Sequence, residues 1–177
     1  MSLTNERALP LALCVLALVL HGCMPASRSV RGGAVNYPEI RAAMEQARSS
    51  PALGHDRRKV LEEAERWVGT PYAFGGTGRS GIDCSGFVCN VFRAVEKKLP
   101  RTSADQAQSG EAISLARALP GDLIFFNTSG AGVSHVGILV NGETFIHAST
   151  SMGVTLSRLS EPYYRDRLLF ARRVLAD

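Results

Sequence analysis

The sequence predicts an α+β fold, with helices first, a run of antiparallel strands after them, and one helix packed on the resulting sheet. Three observations carry this. Val60, Leu61, Ala64, Trp67 and Val68, then Cys84, Phe87, Val88, Val91, Phe92 and Val95, recur at the helical period. From Asp122 onward the pattern changes to short, β-rich segments separated by glycine-containing turns. Helical and strand patterns are segregated along the chain, which argues against a parallel βαβ sheet.

The chain has 177 residues and a formal net charge of +4. Its apolar run Leu9 to Leu20 is too short to span a bilayer comfortably and follows a short polar start containing Arg7, so residues 1–22 read as a signal peptide. The run ends Leu20-His21-Gly22-Cys23, which resembles a bacterial lipobox with Cys23 as the lipidated new N-terminus. His21 is an unusual occupant of that motif. By the same resemblance, Met24 in place of aspartate implies the periplasmic face of the outer membrane. An ordinary secreted leader or an uncleaved anchor is the other reading of this segment.

Residues 23–177 suffice for one domain with a proper core and not for two. Residues 23–56 mix Ser, Gly, Arg, Ala and Pro with only a weak helical patch around Ile40 to Arg48, and read as a flexible tether. The domain, residues 57–177, opens with a helix capped by Asp56 and stopped by Gly69 and Pro71. A glycine-rich loop, Gly75 to Gly81, leads to Asp83, an N-cap for a helix from Cys84 to about Lys97. Ser103 and Gln106 have capping-box spacing for a short helix. Strands follow at Asp122–Phe126, His135–Val140, Thr144–Ala148, Val154–Arg158 and Leu169–Val174. The basic residues are scattered, with Arg57-Arg58-Lys59 and Arg172-Arg173 the only clusters, and there is no nucleic-acid motif. A mild positive balance suits an acidic polymer or simply a solvated surface.

The cysteines narrow the chemistry. Cys14 leaves with the leader and Cys23 is assigned to lipid, so the domain keeps Cys84 and Cys89. Five residues apart on one helix, their Cα atoms lie about 8–9 Å apart, too far for a disulfide. Cys89 reads as a packing residue. Cys84, at a helix N-terminus, lies in the field of unpaired N–H groups, which favours thiolate over thiol and so favours a nucleophile. A lone cysteine on an apolar helix face is also met as a small core residue, and the histidines decide between the two.

His135 and His147 lie on adjacent predicted strands. A two-residue Asn141-Gly142 turn pairs Val136 with His147 and sends the imidazoles to opposite faces. A three-residue loop, Val140-Asn141-Gly142 with Gly142 as a left-handed bulge residue, pairs His135 with His147. The catalytic reading requires this bulge. Cys84 then attacks a carbonyl, His135 takes the thiol proton and returns it to the leaving amine, and His147 orients His135. The Cys84 amide is a natural oxyanion donor, with the Tyr72 hydroxyl as a second. One thiol and two histidines lack the paired spacings of common zinc sites, and the expected cofactor and metal are none.

Six blocks extend this reading: Thr70-Pro71-Tyr72 with Gly75-Gly76, Gly81-Ile82-Asp83-Cys84-Ser85-Gly86-Phe87-Val88, Leu99-Pro100-Arg101-Thr102-Ser103, Pro120-Gly121-Asp122-Leu123, Ser134-His135-Val136-Gly137-Ile138 and Phe145-Ile146-His147-Ala148-Ser149. In order and spacing they resemble the NlpC-type papain-like cell-wall peptidases, and among these the Spr/MepS-type lipoproteins. The resemblance covers about Arg57 to Val174. It implies a papain-like fold with Cys84, His135 and His147 as the triad, Tyr72 beside the oxyanion, and Asp83 and Ser85 contacting substrate. Arg101 matches a family arginine that either binds peptide or holds the loop.

The resemblance implies a monomeric, lipid-anchored cysteine endopeptidase acting on peptidoglycan, cutting the D-alanyl to meso-diaminopimelyl crosslink. Cleavage after γ-D-glutamate within the stem is the alternative within the family. An acyltransferase on the same scaffold and a non-catalytic wall-binding lipoprotein are the rivals from other classes. A binder has no chemical need of a base beside its thiol.

Overall fold

A helix that the composition had assigned to a tether opens the described chain. The computed structural model describes residues 35–176; the expected leader and the Cys23 lipidation site lie outside the described residues. Helix α1 (Tyr37–Arg48) is capped by Asn36, whose side chain accepts from the Glu39 amide, and it buries Ile40, Met44 and Ala47 in the main core. The tether boundary at residue 56 is thereby corrected. Apolar residues spaced by four and three form one stripe that charged neighbours had masked, and an ion pair from Arg48 to Glu65 ties α1 to α2 (His55–Arg66). The N-cap of α2 is Gly54, without a side-chain bond, and Asp56 lies in its first turn rather than at the cap.

The Cys84 helix, α3 (Cys84–Phe92), is shorter than expected. It continues as a 3₁₀ turn, Arg93–Val95, and stops where Glu96 turns left-handed at φ 57°. A hairpin of β1 (Thr77–Gly78) and β2 (Gly81–Ile82) precedes it. Helix α4 (Ser103–Gln106) is capped by Thr102 rather than Ser103, the Thr102 hydroxyl accepting from the Asp105 amide. The main sheet has six strands: β3 (Glu111–Ile113), β4 (Leu123–Phe126), β5 (His135–Leu139), β6 (Thr144–Ser149), β7 (Gly153–Arg158) and β8 (Leu168–Arg173). Its order is β3-β8-β4-β5-β6-β7, every neighbouring pair antiparallel. A short helix, α5 (Pro162–Arg165), joins β7 to β8.

Strand alternation divides the core between the two faces. Phe125, Val136, Ile138, Ile146 and Ala148 face α3 and share a cluster with Phe87, Val88, Val91 and Phe92. Ile124, Phe126, Leu139 and Phe145 form a second cluster on the opposite face. Burial of this kind is worth roughly 1.5–3 kcal/mol per large apolar side chain, and it holds α3 against β5 and β6.

Of the clustered bases, Arg57 is buried and Arg173 is partly buried. Asp122, fully buried at the start of β4, accepts from Arg57 Nη1 at 2.9 Å, Arg173 Nη2 at 3.0 Å and the Leu119 amide at 2.8 Å. Arg57 also donates to the Pro120 carbonyl at 2.8 Å. One carboxylate thus fastens α2 and β8 to the turn that starts β4. Asp122→Ala leaves two guanidinium groups beside a site without its anion, and urea unfolding is expected to show a loss of about 3–5 kcal/mol; a loss under about 1 kcal/mol would contradict this role.

Candidate active site

The site is assembled from the start of α3, the start of β5 and the middle of β6. Asp83, extended at the N-cap, accepts the Gly86 amide on Oδ1 at 2.7 Å, which fixes the first turn and the Cys84 thiol with it. Gly86 has no room for a side chain, since a Cβ there would come 2.6 Å from the Gly76 carbonyl oxygen. Cys84 is 8% exposed, and the N–H groups of Val136, Ser85 and Cys84 itself surround its sulfur. The thiol therefore reaches the chain one residue beyond His135.

Arg101 holds the loop. Its guanidinium grips Asp83 bidentately, Nη1 to Oδ1 at 2.9 Å and Nη2 to Oδ2 at 2.7 Å, and donates to Ser85 Oγ at 2.9 Å and the Gly76 carbonyl at 3.3 Å. Oδ2 of Asp83 also accepts the Gly75 amide at 3.0 Å. Burial alone would raise the Asp83 carboxyl; the Arg101 bond, the Gly86 amide and the Ser85 hydroxyl together bring it below its ordinary value. Tyr72, half-buried and bridged to Ile82, lies within electrostatic reach of Cys84. Burial first, then Cys84 and Asp83, raises its phenol, so it remains a proton donor. Cys89 is only partly buried, its sulfur 3.2 Å from the Pro100 carbonyl, and no disulfide joins it to Cys84.

The two histidines share a face, but by another register than the bulge required. Ile138 pairs with Ile146 and Leu139 with Phe145, so one step further Gly137, not His135, stands opposite His147. The loop is Asn141-Gly142-Glu143, closed by the Val140 amide to the Thr144 carbonyl at 2.9 Å, and Gly142 is not left-handed. Asn141 Oδ1 takes the place of the bulge by accepting the Glu143 and Thr144 amides, both at 2.9 Å. His135 and His147 become diagonal neighbours, with no side chain at Gly137 between them. His135 Nε2 meets His147 Nδ1 at 2.9 Å, the rings edge to face with centroids 4.9 Å apart.

His147 is fully buried, and its Nε2 lies 3.2 Å from both Ser157 Oγ and the Tyr164 hydroxyl. Neither residue was assigned to the site from the sequence; the signals available were that Ser157 sits on the strand next to His147 and that Tyr164 lies in Glu161-Pro162-Tyr163-Tyr164, a stretch that resembles the Spr/MepS-type lipoproteins. A cavity of about 390 Å³ opens here, lined by both histidines with Thr128, Ser149, Tyr163 and Tyr164 among others.

Burial governs the charges. It pushes the Cys84 thiol above its ordinary value, Asp83 adding to the rise and the surrounding N–H groups only partly offsetting it. The expectation of a resting thiolate is corrected accordingly: the helix terminus acts, but desolvation outweighs it. Burial also brings His135 down to about 4, and His147, buried and beside His135, well below the ordinary imidazole value. At neutral pH the groups are a neutral thiol and two neutral imidazoles. Among the described residues no side-chain hydrogen bond joins Cys84 to His135, and such contacts commonly tighten only with substrate bound. Nor does any group of three or more His, Cys, Asp or Glu among these residues offer a metal site.

The chain is 36% identical over 151 residues to the murein DD-endopeptidase MepS/murein LD-carboxypeptidase of Escherichia coli K12, covering 79% of this chain and 80% of that one. It is 45% identical over 115 residues to the probable endopeptidase NlpC of the same organism, covering 64% and 75%. Among solved structures, an NLP/P60 family protein from Staphylococcus aureus superposes with a TM-score of 0.64 at 35% identity, covering 73% of this chain and 45% of that longer one. Residues 69–173 match the NlpC/P60 family and contain Cys84, Arg101, His135 and His147. The chain belongs to the NlpC/P60 family.

Proposed function

We propose that this chain is a lipid-anchored peptidoglycan endopeptidase that cuts the D-alanyl to meso-diaminopimelyl crosslink through Cys84, His135 and His147. The observation that carries the reading is the hydrogen-bonded imidazole pair beside a thiol at a helix N-terminus. The relative named a murein DD-endopeptidase supports the choice of bond.

The chemistry follows from the neutral resting state. Cys84 Sγ attacks the carbonyl carbon as its proton passes to His135 Nδ1, so thiolate and imidazolium form together only as the S–C bond forms. The oxyanion accepts from the Cys84 amide and the Tyr72 hydroxyl. The C–N bond breaks, His135 gives its proton to the leaving amine, and a thioester remains. Water then attacks the thioester, His135 takes its proton, and the acid leaves as the thiol is restored. His147 holds His135 through Nε2 throughout. Asp83 and Arg101 serve by fixing the loop and helix around the thiol, with Ser85 in the same network. The anchor is Cys23, on the periplasmic face of the outer membrane; Cys23→Ala is expected to move the protein from membrane to soluble fractions, and unchanged fractionation would remove the anchor from the account.

Incubation of the full chain with crosslinked peptidoglycan, followed by mass spectrometry of the muropeptides, is expected to show dimers lost and intact-stem monomers gained, with Cys84→Ala inactive. Truncated dipeptide stems would move the assignment to γ-D-glutamyl cleavage, and unchanged muropeptides would leave a binder.

The acid limb of kcat/KM is expected near pH 4, because His135 must be neutral to act and burial brings it to about 4. A limb near 6.5 would contradict a desolvated base. The same shift sets the stability profile. The unfolded chain binds the proton more readily, so stability is lost as pH falls from 6.5 through about 4, by roughly 3 kcal/mol for this group.

A further inference from the structure

We infer that Ser157 and Tyr164 form a hydroxyl pair that fixes the tautomer of His147, and through it leaves His135 with an unprotonated Nδ1. The inference rests on the reading of His135 as the base and assigns the residues that make it one.

The argument is a chain of single choices, because a neutral imidazole carries one N–H and one bare nitrogen. His147 Nε2 has two oxygens at the same distance, 3.2 Å, one on Ser157 and one on Tyr164. Two oxygen lone pairs can converge on one shared N–H. One in-plane nitrogen lone pair cannot take two O–H hydrogens equally well. The arrangement therefore selects Nε2–H on His147 and leaves its Nδ1 bare. The 2.9 Å contact to His135 then needs its hydrogen from His135 Nε2, and a neutral His135 protonated there has Nδ1 free. The opposite tautomer of His147 would put a hydrogen on its Nδ1, force the His135 proton onto Nδ1, and block the nitrogen that must accept from the thiol.

The fold builds this pair in deliberately placed positions. Ser157 pairs with Phe145 across β6 and β7, on the same face as His147, which is paired with Thr155. Tyr164 comes from α5, its ring edge-on to His147 at 5.3 Å and to Phe145 at 4.9 Å, and 5.5 Å from Phe126. Burial, the largest influence, keeps the Tyr164 phenol protonated. In the acyl-transfer cycle the thiol proton enters and leaves at His135 Nδ1, and no proton crosses between the histidines. Ser157 and Tyr164 are positioning residues.

The test combines ¹⁵N spectra of histidine-labelled full chain at pH 7 with kinetics of Ser157→Ala, Tyr164→Phe and the double variant. Wild type is expected to show Nε2–H on both histidines, and each single variant, whose remaining hydroxyl can donate to Nε2 as well as accept from it, is expected to show part of His147 as Nδ1–H. In the double variant an N–H on Nε2 would be orphaned in the core, the costlier choice than an orphaned lone pair. His147 should move to Nδ1–H, with kcat roughly ten- to a hundredfold lower, the population shift expected for one orphaned N–H, and KM little changed. Nδ1–H on either histidine of wild type, or a folded double variant with kcat within threefold, would overturn the inference. Should the double variant fail to fold, the wild-type and single-variant spectra decide it. Should wild type hydrolyse nothing, the proposed function fails while the spectra still decide the tautomers.

Discussion

One carboxylate organises the nucleophile side of this molecule. Asp83 caps α3 through the Gly86 amide, takes both arms of Arg101, and accepts the Gly75 amide and the Ser85 hydroxyl. Three pieces of chain that are separate in sequence, the glycine loop, the helix start and the segment leading to α4, are held to two oxygens. Gln106 reinforces the joint, its Nε2 donating to the Ser85 and Pro100 carbonyls at 3.0 and 2.9 Å. A carboxylate buried without these donors would protonate; with them it stays charged, and its charge is what the surrounding geometry requires.

The histidine side is organised by the opposite condition, the exclusion of charge. Both imidazoles and the thiol lose more from desolvation than they gain from neighbouring dipoles. A neutral site is consistent with a base that must accept a proton at each turnover, since an imidazole charged at rest could not. Orientation then depends on hydrogen bonds alone, which is why the contacts behind His147 matter as much as the one in front of it. Phe126, Phe145 and Tyr164 pack against the imidazole rings from this side.

How far the sequence could be read follows from which forces are local. The Asp83 cap, the helix that begins at Cys84 and the strands from β4 to β8 depend on neighbours within a few residues, and their signals stand in the sequence. Helix α1 stood in the sequence only as the weak helical patch around Ile40 to Arg48, because its apolar stripe is narrow and gains its stability by packing on α2 and the core. The pairing of Arg57 and Arg173 was hidden because their partner, Asp122, is remote in sequence. The histidine pair was legible as a pair but not in register, since Asn141 closes a loop that glycine was expected to close. The resting charge of Cys84 was misread because a helix terminus is visible in sequence and desolvation is not.

The most direct test of the central claim is intact-mass spectrometry of the full chain, acid-quenched within milliseconds of mixing with crosslinked muropeptide. The account predicts a transient adduct on Cys84 with the mass of the acyl portion, labile to hydroxylamine as a thioester is, and absent from His135→Ala. Product formation with no adduct at Cys84, or with an adduct elsewhere, would contradict it.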